Sequence, residues 1–398
     1  MPAPRGALRW QTRDPRARPG EDRMPDAVDH GLHDVVVVGA GQAGLAASYH
    51  LRRLGVEHVV LDANDGPGGA WRHRWPSLTF GGAHGIHDLP DLPLGTPDPA
   101  EPSAQVVSRY YGAYERTFEL PVVRPVRVRT VTSDDGAGPL TVATDSGTWR
   151  ARYLISATGT WDRPYWPYVR GRESFRGRQL HTRDFWSAEE MRGLDVVVVG
   201  GGTSAAQFLL QLQGVARSTT WATRREPDWV DIPFDTAWGI DVEKRVQART
   251  LAGLPTLSVV AATGLPLTAE YRRGIADGVL VSRGMFTHVV PDGVVFPSRG
   301  LPPGAGTSGA SGSDDGELVR ADVILWATGF RPAIDHLAPL RLRERGGGIR
   351  TDGTVVDRDP RVLLVGYGAS ASTLGATRAG RRAALAAARG LSLVPAPA

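Results

Sequence analysis

Two glycine-rich hexapeptides in this chain have the spacing that lets a backbone close around a phosphate. Gly39-Ala40-Gly41-Gln42-Ala43-Gly44 follows the β-branched run Val35–Val38 and opens a helical pattern through Leu45, Tyr49, Leu51 and Leu54. In such a GxGxxG turn the first glycine permits a tight reversal and the second lets the backbone approach a pyrophosphate. The third allows close packing of helix on strand. The helix N-terminus adds free N–H groups and the positive end of its dipole, so Gly39, Gly41, Gln42, Ala43 and Gly44 are candidates for holding a dinucleotide. A second strand, Val59–Asp62, ends in a carboxylate able to accept hydrogen bonds from ribose hydroxyls, with Ala63 beside it. Alone, the glycine pattern can be a turn that merely packs; with strand, helix and acid in place it reads as a binding site.

Gly200-Gly201-Gly202-Thr203-Ser204-Ala205, of GxGxxA form, repeats the arrangement after Asp195–Val199 and before a helix through Phe208, Leu209 and Leu212. Gly200, Gly202, Thr203, Ser204 and Ala205 are its candidates. The step from Gly39 to Asp62, repeated from Gly200, reaches Thr223 and then Arg224 and Arg225. A carboxylate there would repel a 2′-phosphate, whereas a guanidinium grips one in bidentate fashion. The first site is therefore expected to take an unphosphorylated adenosine ribose and the second to prefer NADPH to NADH; the alternative is that both arginines are solvated surface charges.

Two dinucleotide folds in one chain imply a bound flavin and a visiting nicotinamide, because hydride passes between two cofactors in one crevice. FAD and NADPH are the expected pair. Two Ala-Thr-Gly turns, Ala157-Thr158-Gly159 and Ala327-Thr328-Gly329, end the apolar strands Tyr153–Ser156 and Val323–Trp326, as expected where a chain crosses between domains. The first turn and Val126 are assigned to FAD, and Thr328 and Gly329 to NADPH.

These elements imply an α/β fold of two Rossmann-like dinucleotide-binding domains, the NADPH domain inserted into the FAD domain. Residues 1–30, rich in Arg, Pro and Asp, read as a disordered leader, with order beginning at Asp34. Residues 31–160 and 325–398 are expected to form the FAD domain, and 161–324 the NADPH domain, with a flexible Gly/Ser/Pro-rich loop at 298–318. Pro121–Val131 and Leu140–Val142 read as short antiparallel strands, Val319–Trp326 as one strand, and Thr377–Arg389 as a terminal Ala-rich helix after the strand Val362–Val365.

Composition narrows the chemistry. The 398 residues are 41% apolar and 22% charged, with a mean hydropathy of −0.21, as in a soluble globular protein. Cysteine is absent, which removes disulfide frameworks, thiolate metal sites, thiol nucleophiles and redox pairs. No cluster with metal-ligand spacing appears, so no metal is expected. Lys244 is the one lysine among 46 basic residues, and there is no GxxxxGK loop. A net charge of +4 and a pI near 9.6 arise from arginines scattered singly and in pairs, without the dense stripe that nucleic acid requires. No apolar run reaches the ~18–20 residues of a membrane span, and the N-terminus lacks a secretory pattern, so a cytoplasmic protein is expected. The aromatics Trp229, Phe234, Trp238, Tyr271 and Phe286 either wall a substrate cavity or form core, and ordinary burial favours core.

After residue 33 the chain resembles the class B flavin-dependent monooxygenases, which include the flavin-containing and Baeyer–Villiger enzymes. Gly68-Gly69-Ala70-Trp71-Arg72-His73-Arg74-Trp75 looks like the family's GG-x-W segment, implying that Gly69, Ala70, Trp71 and Arg72 border the flavin. Phe175-Arg176-Gly177-Arg178-Gln179-Leu180-His181-Thr182-Arg183-Asp184-Phe185 matches FxGxxxHxxxF at every fixed position. That motif implies that His181 links the domains and aids nicotinamide use; as a bland alternative it is a satisfied core histidine. Baeyer–Villiger enzymes carry Trp where Phe185 stands, and here Trp186 comes one residue late, which leans toward oxygenation of nitrogen or sulfur. The stretch Val365–Thr377 implies closure of the flavin site by Gly366, Thr373 and Leu374. Where flavin-containing monooxygenases place an Asn, this chain has Gly81-Gly82, and His84, the candidate catalytic residue, and His87 are the nearest polar substitutes.

The resemblance implies that NADPH reduces FAD and that a C4a-(hydro)peroxyflavin oxygenates a small molecule, most readily at nitrogen or sulfur. Its alternatives are Baeyer–Villiger oxidation, an NADPH-dependent flavoprotein reductase that oxygenates nothing, and a nucleotide sensor without turnover. Partners are then a small-molecule substrate and O2, with no nucleic acid and no membrane; oligomeric state is left open.

Overall fold

The computed structural model describes residues 28–83, 85–134, 136, 138–231, 236–256, 264–298, 316–371 and 373–393, with backbone alone for 236–243, 369, 373 and 374. The first sheet begins with β1 (Asp29–Val38), α1 (Gln42–Arg53) and β2 (His58–Leu61), and β1 and β2 pair in parallel from Val35 against His58 to Val38 against Leu61. Helix α2 (Ser103–Thr117) and the short strands β3 (Val122–Val123), β4 (Val128–Thr132) and β5 (Leu140–Thr144) follow. The long β6 (Thr148–Ser156) then returns to the free side of β1.

Chain order next builds a second sheet. Its elements are β7 (Arg178–His181), β8 (Asp195–Val199), α3 (Thr203–Leu212), β9 (Ser218–Ala222), β10 (Trp229–Val230), α4 (Thr236–Leu251), β11 (Leu265–Pro266), α5 (Ala269–Ala276), β12 (His288–Val290), β13 (Gly293–Pro297), β14 (Gly316–Arg320) and β15 (Val323–Trp326). The sheet is parallel throughout in the order β7-β15-β8-β9, beside an antiparallel β12-β13-β14 layer. The chain then returns through β16 (Thr351–Asp352), β17 (Val355–Val356) and β18 (Val362–Leu364) and ends in α6 (Thr373–Gly390). Since β18 pairs in parallel with β6, the first sheet runs β16-β17-β18-β6-β1-β2-β3 and the second sheet interrupts it in sequence. The fold is the expected α/β arrangement of two Rossmann-like units, one inserted in the other.

The uninterrupted valines have a direct cause. Val35 and Val37 pack toward α1, α2 and α6, while Val36 and Val38 pack into the separate core formed with β4, β5 and Leu337. Likewise Val196 and Val198 face α3, and Val197 and Val199 face Phe286 and Phe296. Strands covered on both faces have no polar face to alternate with. Helix α6 lies so close on α1 that a β-carbon on Gly380 would come within 2.7 Å of Ala43 O.

The structure corrects several expectations. Order starts before Asp34, because β1 begins at Asp29 and His30 stacks on Trp149 with ring centroids 3.7 Å apart. Only 1–27 of the expected leader lie outside the described residues. β3 is parallel to β2; the antiparallel hairpin is β4–β5. Val319–Trp326 is two strands, divided at Ala321-Asp322, where the Asp322 carboxylate accepts from the Asp195 N–H at 2.8 Å and pairs with Arg217 at 3.0 Å. β15 carries the second sheet two residues past position 324. Of the expected loop 298–318, residues 299–315 lie outside the described residues and Gly316–Leu318 belong to β14. α6 starts at Thr373, ahead of Thr377. Tyr271 and Phe286 are core and Trp229 packs against Trp221 and Tyr271, whereas Phe234 and the Trp238 side chain lie outside the described residues. Among the described residues no helix is long and apolar enough to cross a membrane, and no group of three or more His, Cys, Asp or Glu is placed to hold a metal.

Candidate cofactor and substrate site

The first cradle is shaped by close backbone approach. Gly39 has φ +103°, and a β-carbon there would sit 2.6 Å from Ala157 O; one on Gly44 would overlap Gly39 O. Helix α1 starts on Gly41 with no side-chain cap from that residue and no acid in its first turn, so the positive end of its dipole is not offset by a carboxylate and suits an anion. Opposite it, a β-carbon on Gly69 would come within 2.8 Å of Gly41 Cα, so the Gly68–Trp71 segment closes the cradle. Gln42 turns instead to the C-terminal helix, donating from Nε2 to Thr377 Oγ1 at 3.0 Å.

Asp62 is 3% exposed. Its Oδ2 accepts from Arg124 Nε and Nη2 at 3.2 and 3.1 Å, and its Oδ1 accepts from the Asn64 amide at 3.1 Å. Arg124 also grips Glu115 with bonds of 2.6 and 2.8 Å, so the acid is fixed in place while keeping lone pairs for a ribose. The Val126 N–H donates to Asp62 O at 2.8 Å, and Ala63 is half-buried next to it. Arg72 pairs with Asp65 at 2.5 Å, and its Nη1 is buried with no hydrogen-bond partner among the described residues. Ala70 is exposed and Trp71 half-buried.

The second cradle repeats the first. Gly200 has φ +135°, and a β-carbon there would sit 2.1 Å from Ala327 O. Each cradle thus leans on its own Ala-Thr-Gly turn. Helix α3 starts on Gly202, again with no side-chain cap and no acid in its first turn; Thr203 and Ser204 are half-buried and Ala205 is fully buried. At the end of β9, Thr223 is buried, and Arg224 and Arg225 are exposed with no ion pair among the described residues. Both helix starts fit a pyrophosphate, and the arginine pair fits a further phosphate.

The two crossovers run side by side. Thr158 Oγ1 donates to Ala333 O at 2.8 Å, and the Ala333 N–H donates to Gly159 O at 2.9 Å. Further along, the Arg331 N–H meets Arg163 O at 2.8 Å, the Tyr165 N–H meets Gly329 O at 2.9 Å, and Thr328 Oγ1 meets Tyr165 O at 2.5 Å. Trp161 stacks on Phe330 with centroids 5.0 Å apart. Gly366, at φ +71°, lies beside Gly159, and the Val365 N–H donates to Ser156 O at 3.0 Å. Thr373 and Leu374 contribute the backbone of the first turn of α6.

His181 is fully buried and committed at both nitrogens: Nε2 donates to Gly329 O at 3.0 Å, and Nδ1 accepts from the Arg183 N–H at 3.2 Å. Burial pushes its pKa down, so the ring is a neutral strut tying β7 to the second Ala-Thr-Gly turn. Phe185 packs against Trp75 and Phe208, and Phe175 is core as well. Gly81 and Gly82 turn tightly, with the Gly81 N–H on Pro99 O at 2.9 Å; the Gln207 amide donates to Gly82 O at 3.2 Å. His84 lies outside the described residues, and burial lowers the pKa of His87. Sequence reasoning missed Arg74, which the fold sets between Trp71 and Trp161; the Trp-x-x-Arg spacing was a local signal, but Trp161 comes from a distant segment.

A model of the pyridine nucleotide-disulphide oxidoreductase family matches residues 36–247, more than half of the chain and both cradles. The chain belongs to that family. A double mutant of a flavin monooxygenase from Stenotrophomonas maltophilia is similar in structure, with 34% identity, a TM-score of 0.72, and coverage of 89% of this chain and 98% of that one. Among curated relatives, an uncharacterized CzcO-like oxidoreductase from Geobacillus kaustophilus is 30% identical over 45% of this chain and 51% of its own length. The indole-3-pyruvate monooxygenase YUCCA1 from Oryza sativa subsp. japonica is 34% identical over 44% of each chain. The chain spans about half the length of the curated relatives it matches. Its similarity to flavin monooxygenases thus lies within an oxidoreductase family that uses pyridine nucleotides.

Proposed function

We propose that this chain holds FAD in the first cradle and NADPH in the second and inserts one oxygen atom of O2 into a small molecule, at nitrogen or sulfur. In this reading the first sheet, from Asp29 to 160 and again after β15, serves FAD, and 161–326 serve NADPH. The observation that carries it is the absence of cysteine from a chain whose family is named for disulphide chemistry. With no thiols to relay electrons, a disulfide is no outlet for them, and the similarity to a flavin monooxygenase supports oxygen as the acceptor.

Bound FAD supplies the hydride acceptor and, once reduced, the group that activates O2. The chain's own residues do the positioning. The uncapped starts of α1 and α3 hold the two pyrophosphates by backbone N–H groups, with Gly41 and Gly202 giving the close approach. Asp62, immobilised by Arg124, accepts from the adenosine ribose of FAD, and Arg224 with Arg225 takes the 2′-phosphate of NADPH. Gly69 to Arg72 border the flavin, and Gly366, Thr373 and Leu374 close it. The paired crossovers and the Trp161–Phe330 stack hold the two turns together and screen the junction from water. Oxygen transfer to a soft nitrogen or sulfur asks for orientation and a dry pocket and needs no dedicated acid–base pair.

The test is product analysis of the FAD-loaded protein with NADPH, O2 and a panel of amines and sulfides, with NADPH consumption and hydrogen peroxide followed together. N-oxide or sulfoxide in proportion to the NADPH consumed is the expected result. Peroxide accounting for all of the NADPH would make the chain a reductase or oxidase instead.

A further inference from the structure

Among the described residues no anion meets Arg74. It ends the short 3-10 turn Gly69–His73, and its guanidinium lies 4.8 Å from the Trp161 ring centroid and 5.6 Å from that of Trp71. Its Nε is buried without a hydrogen-bond partner, and none of its nitrogens has a carboxylate or carbonyl partner among the described residues. The side chain as a whole is half-buried, so its Nη end keeps access to solvent. Arginines around it are treated differently: Arg72 is held by Asp65, Arg124 by Asp62 and Glu115, and Arg163 by Asp335. Burial pushes the Arg74 pKa down to about 10, which still leaves it charged at neutral pH. A buried cation is costly unless an anion meets it, and two indole faces offset only part of that cost.

The anions of the two cofactors already have seats. In the reading above, the starts of α1 and α3 would take the pyrophosphates, and Arg224 with Arg225 would take the 2′-phosphate. Arg74 stands elsewhere, at the junction of the halves. Trp71 belongs to the segment that closes the first cradle. Trp161 follows the first Ala-Thr-Gly turn and stacks on Phe330, which follows the second. The anion still to be supplied is therefore one that a substrate brings, next to flat apolar surfaces.

We propose that Arg74 is the carboxylate seat of the substrate site, so that the enzyme selects acids with a planar apolar body over neutral molecules bearing the same reactive group. This inference rests on the monooxygenase reading above for the location of the substrate, but its binding test needs no turnover. A bidentate guanidinium–carboxylate pair beside an indole is the recognition chemistry implied.

The experiment uses the FAD-loaded protein and two probe pairs. Binding of benzoate and benzamide is measured by calorimetry and by the shift of the flavin spectrum. Turnover is compared for 4-(methylthio)benzoate and thioanisole, which share the reacting sulfur. Benzoate is expected to bind and benzamide not, and the acid to be favoured in kcat/KM by about tenfold or more, through KM. In Arg74→Gln that ratio falls toward one and benzoate binding is lost; Arg74→Lys restores part of both. Equal treatment of the two sulfides by the unaltered enzyme, or an equal loss on both in Arg74→Gln, would overturn the proposal. So would a slowed reduction of the flavin by NADPH without substrate, with the ratio intact, since the cation would then belong to the cofactors. If Arg74→Gln does not take up FAD, Arg74→Lys decides: a ratio unchanged from that of the unaltered enzyme counts against the seat. Benzoate binding without any sulfoxide would remove the oxygenase reading and keep the seat; sulfoxidation without benzoate binding would do the reverse.

Discussion

Arg224 and Arg225, just after β9, form no ion pair among the described residues, where Arg124, Arg163 and Arg217 are paired with acids. A charge-assisted contact to phosphate is worth about 1.5–3 kcal/mol. Replacing both residues by alanine is therefore expected to raise the KM for NADPH by about ten- to a hundredfold and leave that for NADH nearly unchanged. Steady-state kinetics with the two nucleotides check this, and a parallel rise for both would mean that the arginines do not touch the 2′-phosphate. These residues were legible because their place follows from one counted step along a repeated motif. Arg74 was not: its surroundings come from Trp161, and no local pattern links the two. The engagement of Asp62 by Arg124 was hidden for the same reason, although its position as the acid after β2 was plain.

At the scale of elements, the segment after the first cradle reaches into the other sheet. Trp75 is 2% exposed and packs on Phe208 of α3 at 4.9 Å between centroids and on Phe185 at 5.9 Å. Trp75→Ala should cost about 3–5 kcal/mol in denaturant unfolding, in line with large aromatic deletions from a core. A cost below 1 kcal/mol would show that the two halves do not depend on this contact.

A second element-scale effect involves His336, buried beside Ser156 with Nε2 3.2 Å from its hydroxyl. Burial lowers its pKa to about 4. The unfolded chain, with a value of about 6.5, then binds more protons between those limits. The stability this residue contributes is complete above pH 6.5 and is lost as pH falls toward 4, by up to about 3 kcal/mol. Urea unfolding of the natural chain and of His336→Gln across that window should show a smaller pH slope in the variant; equal slopes would refute the assignment.

The β-branched strands and the helices that follow them were readable because burial on two faces leaves a continuous apolar run. The start of β1 at Asp29 was not, since Asp29 to His33 carry little apolar signal and are held by pairing with β6 and by the His30–Trp149 stack. The first turn of α6 escaped notice because Thr373 and Gly375 are poor helix formers, and packing of the helix on α1 sustains it.

At the scale of the molecule, the insertion of one nucleotide fold into another was visible in the repeated strand, glycine cluster and helix. What the sequence could not convey is how the halves are joined: each cradle braced on its own Ala-Thr-Gly turn, the crossovers hydrogen-bonded side by side, and His181 locking the second turn to β7. This brace joins the two cradles across the junction where a hydride would pass from one nucleotide to the other.

The most direct measurement is the absorption of the FAD-loaded protein when NADPH is added without oxygen. The expected result is a yellow protein with one FAD per chain whose flavin band bleaches on mixing. A chain that takes up no FAD, or a bound flavin that NADPH leaves fully oxidised, would contradict it.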